Sequence, residues 1–261
     1  VDRAGNCNGQ GGRSAFGSIG YAMPDALHAG YVIVIADQLE DYPATPASID
    51  ERLVDAVVLV DSIGDPDKII SGTTRVTRDL IGLLMAEYAA DALMASGLVR
   101  DGFSFQTGAG GASLAVARFL GDIMRQKGIR GSFASGGITG TLVGLFEEGL
   151  FHSLLDVQCF DREAVRSMIA NERHREISAS TYASPFARSA VVDHLDAVIL
   201  GATEIDLDFN VNVHTDSNGL IMGGSGGHSD TAAGARLAVM VAPLIRARLP
   251  LIVDRVGTIS T

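Results

Sequence analysis

Between residues 103 and 170 the chain alternates short strand-like segments with helix-like ones, and glycine marks most of the changes. Phe103-Ser104-Phe105-Gln106 alternates with the period of a strand, a loop follows at Gly108 to Gly111, and residues 113–126 carry helical spacing. Residues 131–134 read as a second short strand, Ser135-Gly136-Gly137 as a turn, and residues 139–148 as a helix. Residues 154–160 are strand-like again, and Asp161 caps a helix that runs to Ala170. Strands joined through helices pair in parallel, and a parallel sheet has both faces covered. The expected fold is therefore α/β, a mainly parallel sheet flanked by helices.

The flanking regions are less regular. Residues 31–36 and 56–60 are continuous apolar runs of the kind buried on both faces, separated by the turn signal Tyr42-Pro43-Ala44-Thr45-Pro46. Residues 77–96 have helical spacing, with Leu80, Leu83, Leu84, Tyr88 and Leu93 on one side and Gly97 as C-cap. Beyond residue 190 the strand candidates 196–200, 209–213, 237–241 and 251–253 have little helix between them, which predicts a mixed or antiparallel edge near the C-terminus. Ligands of parallel sheets sit at the carboxyl ends of strands, where Gly108 and Gly136 both fall.

Composition narrows the function classes. A chain of 261 residues suffices for one large domain or two modest ones, and 47% hydrophobic with 20% charged residues excludes disorder. The formal net charge of −11 argues against nucleic acid as a partner. No apolar run reaches the roughly 18 residues that span a bilayer and no signal peptide is visible, so a cytoplasmic, membrane-free protein is expected. The start at Val1-Asp2-Arg3, without methionine, reads as a piece of a longer chain. Cys7 and Cys159 lie far apart without zinc spacing and read as buried small hydrophobes, and His214 and Asp216 lack a third ligand, so no metal is expected.

One carboxylate stands out. Glu204, in Gly201-Ala202-Thr203-Glu204-Ile205-Asp206, lies between the loop Gly108-Ala109-Gly110-Gly111 and the run Gly223-Gly224-Ser225-Gly226-Gly227-His228-Ser229-Asp230. Glycine lets backbone approach a ligand closely and adopt φ > 0, so N–H groups can converge on an oxygen. A carboxylate facing such donors supplies a nucleophile or base together with an oxyanion site, the parts acyl transfer needs. Each part has a plainer reading: a Gly-Ala-Gly-Gly turn between strand and helix, or a solvated glutamate. The second glycine run is followed by the apolar residues 237–241, which sets it apart from a flexible linker.

Residues Gly201 to Asn212, the block Gly223 to Ala235, and the early segments Gly5-Asn6-Cys7-Asn8-Gly9 and Ser14 to Ala22 resemble the α subunit of citrate lyase, over nearly the whole chain. The resemblance implies a coenzyme A transferase-like fold, with residues 1–70 ending a first such domain and residues 71–261 forming a second that carries the site. It implies exchange of the acyl group on an acyl carrier protein: acetyl-carrier and citrate give citryl-carrier and acetate, and a separate β subunit cleaves the citryl-carrier. Acetyl-CoA, or the carrier's phosphoribosyl-dephospho-coenzyme A group, is then a thioester substrate, and no cofactor is tightly bound. An oligomer is expected. Glu204 falls where related transferases carry their catalytic glutamate, as nucleophile, general base or positioning group. The loop through Gly110 resembles their oxyanion loop, and Gly226 and Gly227 belong to the loop facing the thioester. Gly108, Gly111, Gly136, Gly223, Gly224 and Ser225 are the accompanying thioester-binding positions. Citrate is a trianion that calls for Arg or His, and His228 and Arg188 are the candidates; their plainer roles are a loop-bracing donor and a solvated charge.

Two other readings use the same fold. One is a non-catalytic domain binding a sugar phosphate or other effector; no helix-turn-helix accompanies it. The other is a sugar-phosphate isomerase, whose phosphate cradle would want lysine, yet Lys68 and Lys127 both lie outside the glycine loops.

Overall fold

The computed structural model describes residues 1–256 except 13, 66, 67, 69–73, 216–218, 222, 223, 247 and 248. The first part holds α1 (Ala22–His28), β1 (Ile33–Ala36), a 3-10 turn (Glu51–Leu53), β2 (Ala56–Leu59) and α2 (Leu80–Ala95). The expected rhythm follows as β3 (Ser104–Thr107), α3 (Gly111–Lys127), β4 (Gly131–Ile138), α4 (Gly140–Glu147), β5 (Phe151–Cys159) and α5 (Arg162–Ala170). Then come β6 (His174–Glu176), α6 (Ala179–Ala183), a 3-10 turn (Val191–His194), β7 (Ala197–Leu200), β8 (Glu204–Asp206) and β9 (Val211–Asn212). The chain continues with α7 (His228–Gly234), β10 (Leu237–Met240), β11 (Ile245–Arg246), β12 (Leu249–Pro250) and β13 (Ile252–Val253).

Six strands form one sheet in the order β10-β7-β3-β4-β5-β6, and every neighbouring pair is parallel. Side chains alternate across it. Ala197 and Ile199 of β7 join a large core with Phe105, Phe151 and the inner faces of α2 to α5, whereas Val198 and Leu200 join Ala232 of α7 and Met240 of β10 on the other face. Val157, Tyr182, Ala183 and Val192 make a smaller cluster on α6 and the second 3-10 turn. Helices thus cover both faces of a parallel sheet, as the sequence predicts. Asp161 accepts the Ala164 N–H at the start of α5, and Gly97 has the left-handed φ of 73° expected after α2.

The structure differs from the sequence reading in several places. Gly136 and Gly137 make no turn: β4 runs on to Ile138 through a bulge, with Gly136 at φ 97°. Residues 197–200 and 237–240 belong to the parallel sheet, and the mixed part is a separate three-stranded sheet in which β8 pairs in parallel with β13 and antiparallel with β9. Among the described residues the runs at 33–36 and 56–59 pair only with each other, and Ile33, Ile35, Val58 and Leu59 stay exposed. Helix α2 buries Gly82, Ala86, Ala89, Ala90 and Leu93 and leaves Leu80, Leu84 and Tyr88 outside; its small residues admit α3 closely. Cys159 is buried as expected, while Cys7 is partly exposed and donates from Sγ to the Gly5 carbonyl at 3.0 Å. Among the described residues no helix is long and apolar enough to cross a membrane.

Candidate active site

Strands β3 and β7 are neighbours, with Thr107 opposite Ile199, so their carboxyl ends open on the same edge. The Gly108 N–H donates to the Ile199 carbonyl at 2.8 Å, which ties the first glycine loop to the end of β7. Gly110, extended at φ −67° and ψ 147°, is the N-cap of α3. Gly111 is needed for packing: a Cβ there would lie 2.9 Å from the Arg75 carbonyl, and the Thr77 N–H donates to the Gly111 carbonyl at 3.0 Å. Gly108 and Gly110 are the more open pair, with Ser113 Oγ 3.8 and 4.0 Å from their Cβ positions.

Past Leu200 the chain leaves the sheet at Gly201 and reaches Glu204, the first residue of β8. Glu204 lies directly opposite Asn212 of β9, which puts the two side chains on one face. Asn212 Nδ2 donates to Glu204 Oε2 at 3.1 Å, and Glu204 is only 6% exposed. The hairpin between them is braced by Asp206, whose carboxylate accepts the N–H groups of Asp208 and Asn210 and the Asn210 side-chain amide. The Asp206 carboxyl is held below its ordinary value because the Val256 N–H and the Asn210 amide donate to it and outweigh burial. Glu204 is therefore a sheltered carboxylate whose donor among the described residues is the neutral Asn212 amide, beside a second acid that serves the turn.

The downstream glycine run leads straight into α7, a helix absent from the sequence reading. Gly226 has a left-handed φ of 53°, Ser225 Oγ donates to the Gly226 carbonyl at 3.3 Å, and the Ser225 carbonyl accepts the His228 N–H. His228 Nε2 donates to the Gly201 carbonyl at 2.9 Å, joining this loop to the chain that carries Glu204. Gly201 and Gly224 have open space where a Cβ would stand, so backbone there is accessible to a ligand. Gly223 lies outside the described residues, as does Asp216.

Hydrogen bonds thus tie Gly108 (to Ile199) and His228 (to Gly201) to the carboxyl end of β7, from which the chain runs on to Glu204. Gly136 is apart from them, two strands along inside β4, with its bare Cα packed on the Gln106 amide. Arg188 is exposed on the segment after α6, without an ion pair among the described residues. The sequence reading gave no role to Asn212, although Asp206-Leu207-Asp208-Phe209-Asn210 has the Asx-rich composition of a hairpin turn that would bring it opposite Glu204.

A second buried polar group was also not legible. Asp156, Cys159 and His174 bring ligand-type atoms within 4.8 Å of one another. His174 Nε2 and Cys159 Sγ each lie 3.0 Å from the same oxygen, Asp156 Oδ2, and Ser167 Oγ meets His174 Nδ1 at 2.9 Å. The three side chains are thus joined through one carboxylate oxygen in a buried hydrogen-bonded brace. Burial pushes the Asp156 carboxyl up, against the His174 and Cys159 contacts that pull it down.

Comparison with known proteins bears on this arrangement. The family model "Citrate lyase, alpha subunit" matches residues 1–261. The chain is 53% identical to the citrate lyase alpha chain of Klebsiella pneumoniae, over 98% of this chain and 51% of that one. It is 51% identical to the corresponding chain of Escherichia coli K12, over 100% and 51%. A crystal structure of a citrate lyase alpha subunit from Streptococcus mutans, in complex with citrate, superposes with a TM-score of 0.93 at 49% identity, over 98% of this chain and 50% of that one. The alpha subunit of a malonate decarboxylase from Acinetobacter baumannii shares the fold, with a TM-score of 0.67 at 19% identity. The chain spans about half the length of the curated relatives it matches. Full-length agreement with the family model and half-identity across the whole sequence leave one assignment: this chain belongs to the citrate lyase alpha subunit family.

Proposed function

We propose that this chain carries the carboxylate and glycine loops of a transferase that moves a carrier thioester from acetyl to citrate. Acetyl-S-carrier and citrate give citryl-S-carrier and acetate: the acetyl C–S bond breaks, a citryl C–S bond forms, and one citrate carboxylate oxygen leaves on acetate. The observation that carries the reading is Glu204, 6% exposed and held by Asn212, on the chain segment that His228, at the end of the second glycine run, hydrogen-bonds through the Gly201 carbonyl. Such a carboxylate, kept from bulk water, is suited to reaction with a thioester that water would otherwise hydrolyse. Glycine N–H groups of the two loops are suited to the oxygen that becomes negative in the tetrahedral intermediate. The open backbone at Gly201 and Gly224 suits the narrow pantetheine arm of coenzyme A or of the carrier's prosthetic group. His228 braces the loop in this reading, and Arg188 is the cation for a spare citrate carboxylate. Residues 1–70 end a first transferase-like domain and residues 71–261 form the second. The partners are an acyl carrier protein and a citryl-cleaving β subunit in a cytoplasmic complex.

The test is acyl exchange between acetyl-CoA and citrate by the full chain and its Glu204→Gln variant. A loss of about 10³-fold or more is expected where a nucleophile or base is removed. Hydroxylamine trapping separates the routes: an adduct at Glu204 marks an acyl-glutamyl intermediate, and its absence with the same loss marks direct transfer. Full activity in the variant would sink the assignment of Glu204.

A further inference from the structure

A line of buried polar side chains ends on the second glycine loop and takes no part in the exchange described above. Tyr182 of α6 is 3% exposed, Gln106 of β3 is 5% exposed, and Ser135 of β4 is fully buried. Ser135 Oγ donates to Gln106 Oε1 at 3.2 Å, and Gln106 Nε2 donates to Tyr182 Oη at 2.6 Å. The amide is thereby fixed, and the Tyr182 hydrogen is directed away from Gln106. Gly136 makes room for this: a Cβ there would lie 2.9 Å from Gln106 Cδ.

Beyond Tyr182 lies the loop. The Tyr182 ring occupies the space of a Gly227 side chain, with Oη 2.9 Å from that Cβ position. Tyr21, the N-cap of α1, closes on the same turn: its Oη is 3.2 Å from the Cβ position of Gly226. Burial raises both hydroxyls above their ordinary value, so both remain neutral phenols. The apolar neighbours Val157, Ala183 and Val192 already supply packing around Tyr182, so the polar line goes beyond what the cluster needs to bury itself. Fully satisfied buried networks fix one arrangement of the groups at their ends.

We propose that Tyr182, carried by Gln106 and Ser135, is a positioning residue that sets the backbone of Gly226 and Gly227 in the conformation acyl transfer requires, with Tyr21 as its counterpart. The proposal rests on the acyl-transfer reading. Tyr182 touches no reacting atom and acts through the loop.

The test uses the full chain with Tyr182→Phe, Gln106→Leu and their combination. Phenylalanine keeps the ring against Gly227 and removes only the hydroxyl. The expected result is a fall in kcat of up to about 10²-fold with KM for acetyl-CoA nearly unchanged. Amide hydrogen exchange at residues 224–228 should quicken, and the double variant should lose no more than either single one. Unchanged kcat and unchanged amide exchange in Tyr182→Phe would overturn the proposal. Tyr21→Phe, at a partly exposed position, gives the same two readouts should the buried variants not fold. A parent chain without acyl exchange overturns the acyl-transfer reading, and the amide-exchange comparison, which needs no substrate, then decides for or against the hold on the loop.

Discussion

Asn212 holds Glu204 and is itself held. Its Nδ2 also donates to Thr215 Oγ1 at 2.7 Å, while Oδ1 accepts the N–H groups of His214 at 3.0 Å and Thr215 at 3.3 Å. An amide pinned this way cannot follow the carboxylate, so it fixes where Glu204 points. Asn212→Ala removes one hydrogen bond to a charged group, about 1.5–3 kcal/mol, and should slow exchange about 10- to 10²-fold. Asn212→Asp should do more, because it removes the donor and sets a second carboxylate against Glu204. Exchange at the parent's rate in both variants would refute the role. Glu204 was singled out in the sequence because an acid between glycine loops is unusual. Asn212 was not, because its place is set by the Asp206 hairpin, eight residues being short in sequence but two strands in space.

Elements were legible in proportion to how far local pattern decides them. The alternation from β3 to α5 survives because each strand is buried by the helices that follow it, and burial is what the apolar period records. Pattern failed where two solutions have the same composition. Gly136-Gly137 fits a turn as well as a bulge, and the Gln106 amide packed on Gly136 decides for the bulge. In α2 both faces are apolar, so spacing alone cannot say which faces the core; the small side, Ala86, Ala89 and Ala90, packs against α3 because close approach favours alanine. Leu93→Ala, at a fully buried position, should cost about 2–5 kcal/mol in urea unfolding. Ile81→Ala on the same helix, 64% exposed, should stay within about 0.5 kcal/mol. Equal losses for the two would mean that the outer face of α2 is covered in solution.

Across the whole molecule, residues before α2 are fastened to the central sheet by polar contacts, while their own two-stranded sheet stays largely uncovered. Glu176, at the end of β6, accepts the Ile19 N–H at 2.6 Å, the Ser48 hydroxyl and the Gln10 amide; Ser18 Oγ donates to the Asp156 carbonyl, and the Ala179 N–H to that of Gly20. Within that region Asp2 is the organising group. Its carboxylate accepts the N–H groups of Ala4, Gly5, Asn6 and Ala44 and the Asn6 side-chain amide. Burial alone would raise this carboxyl, but the donors, Ala44 and the Asn6 amide first among them, bring it down to about 2 from an ordinary 3.8. A depressed carboxyl adds stability that is fully present above the unfolded value and lost as pH falls through the folded one. Asp2 should therefore hold the 1–50 region at neutral pH and release it between about pH 4 and pH 2. Asp2→Asn keeps the shape but turns a donor toward donors, so it should lower the melting temperature at pH 7. The gap to the parent should then close toward pH 2, where the protonated acid carries a donor hydrogen as well. A gap that stays constant from pH 7 to pH 2 would show that shape, and not the carboxylate charge, is what Asp2 contributes.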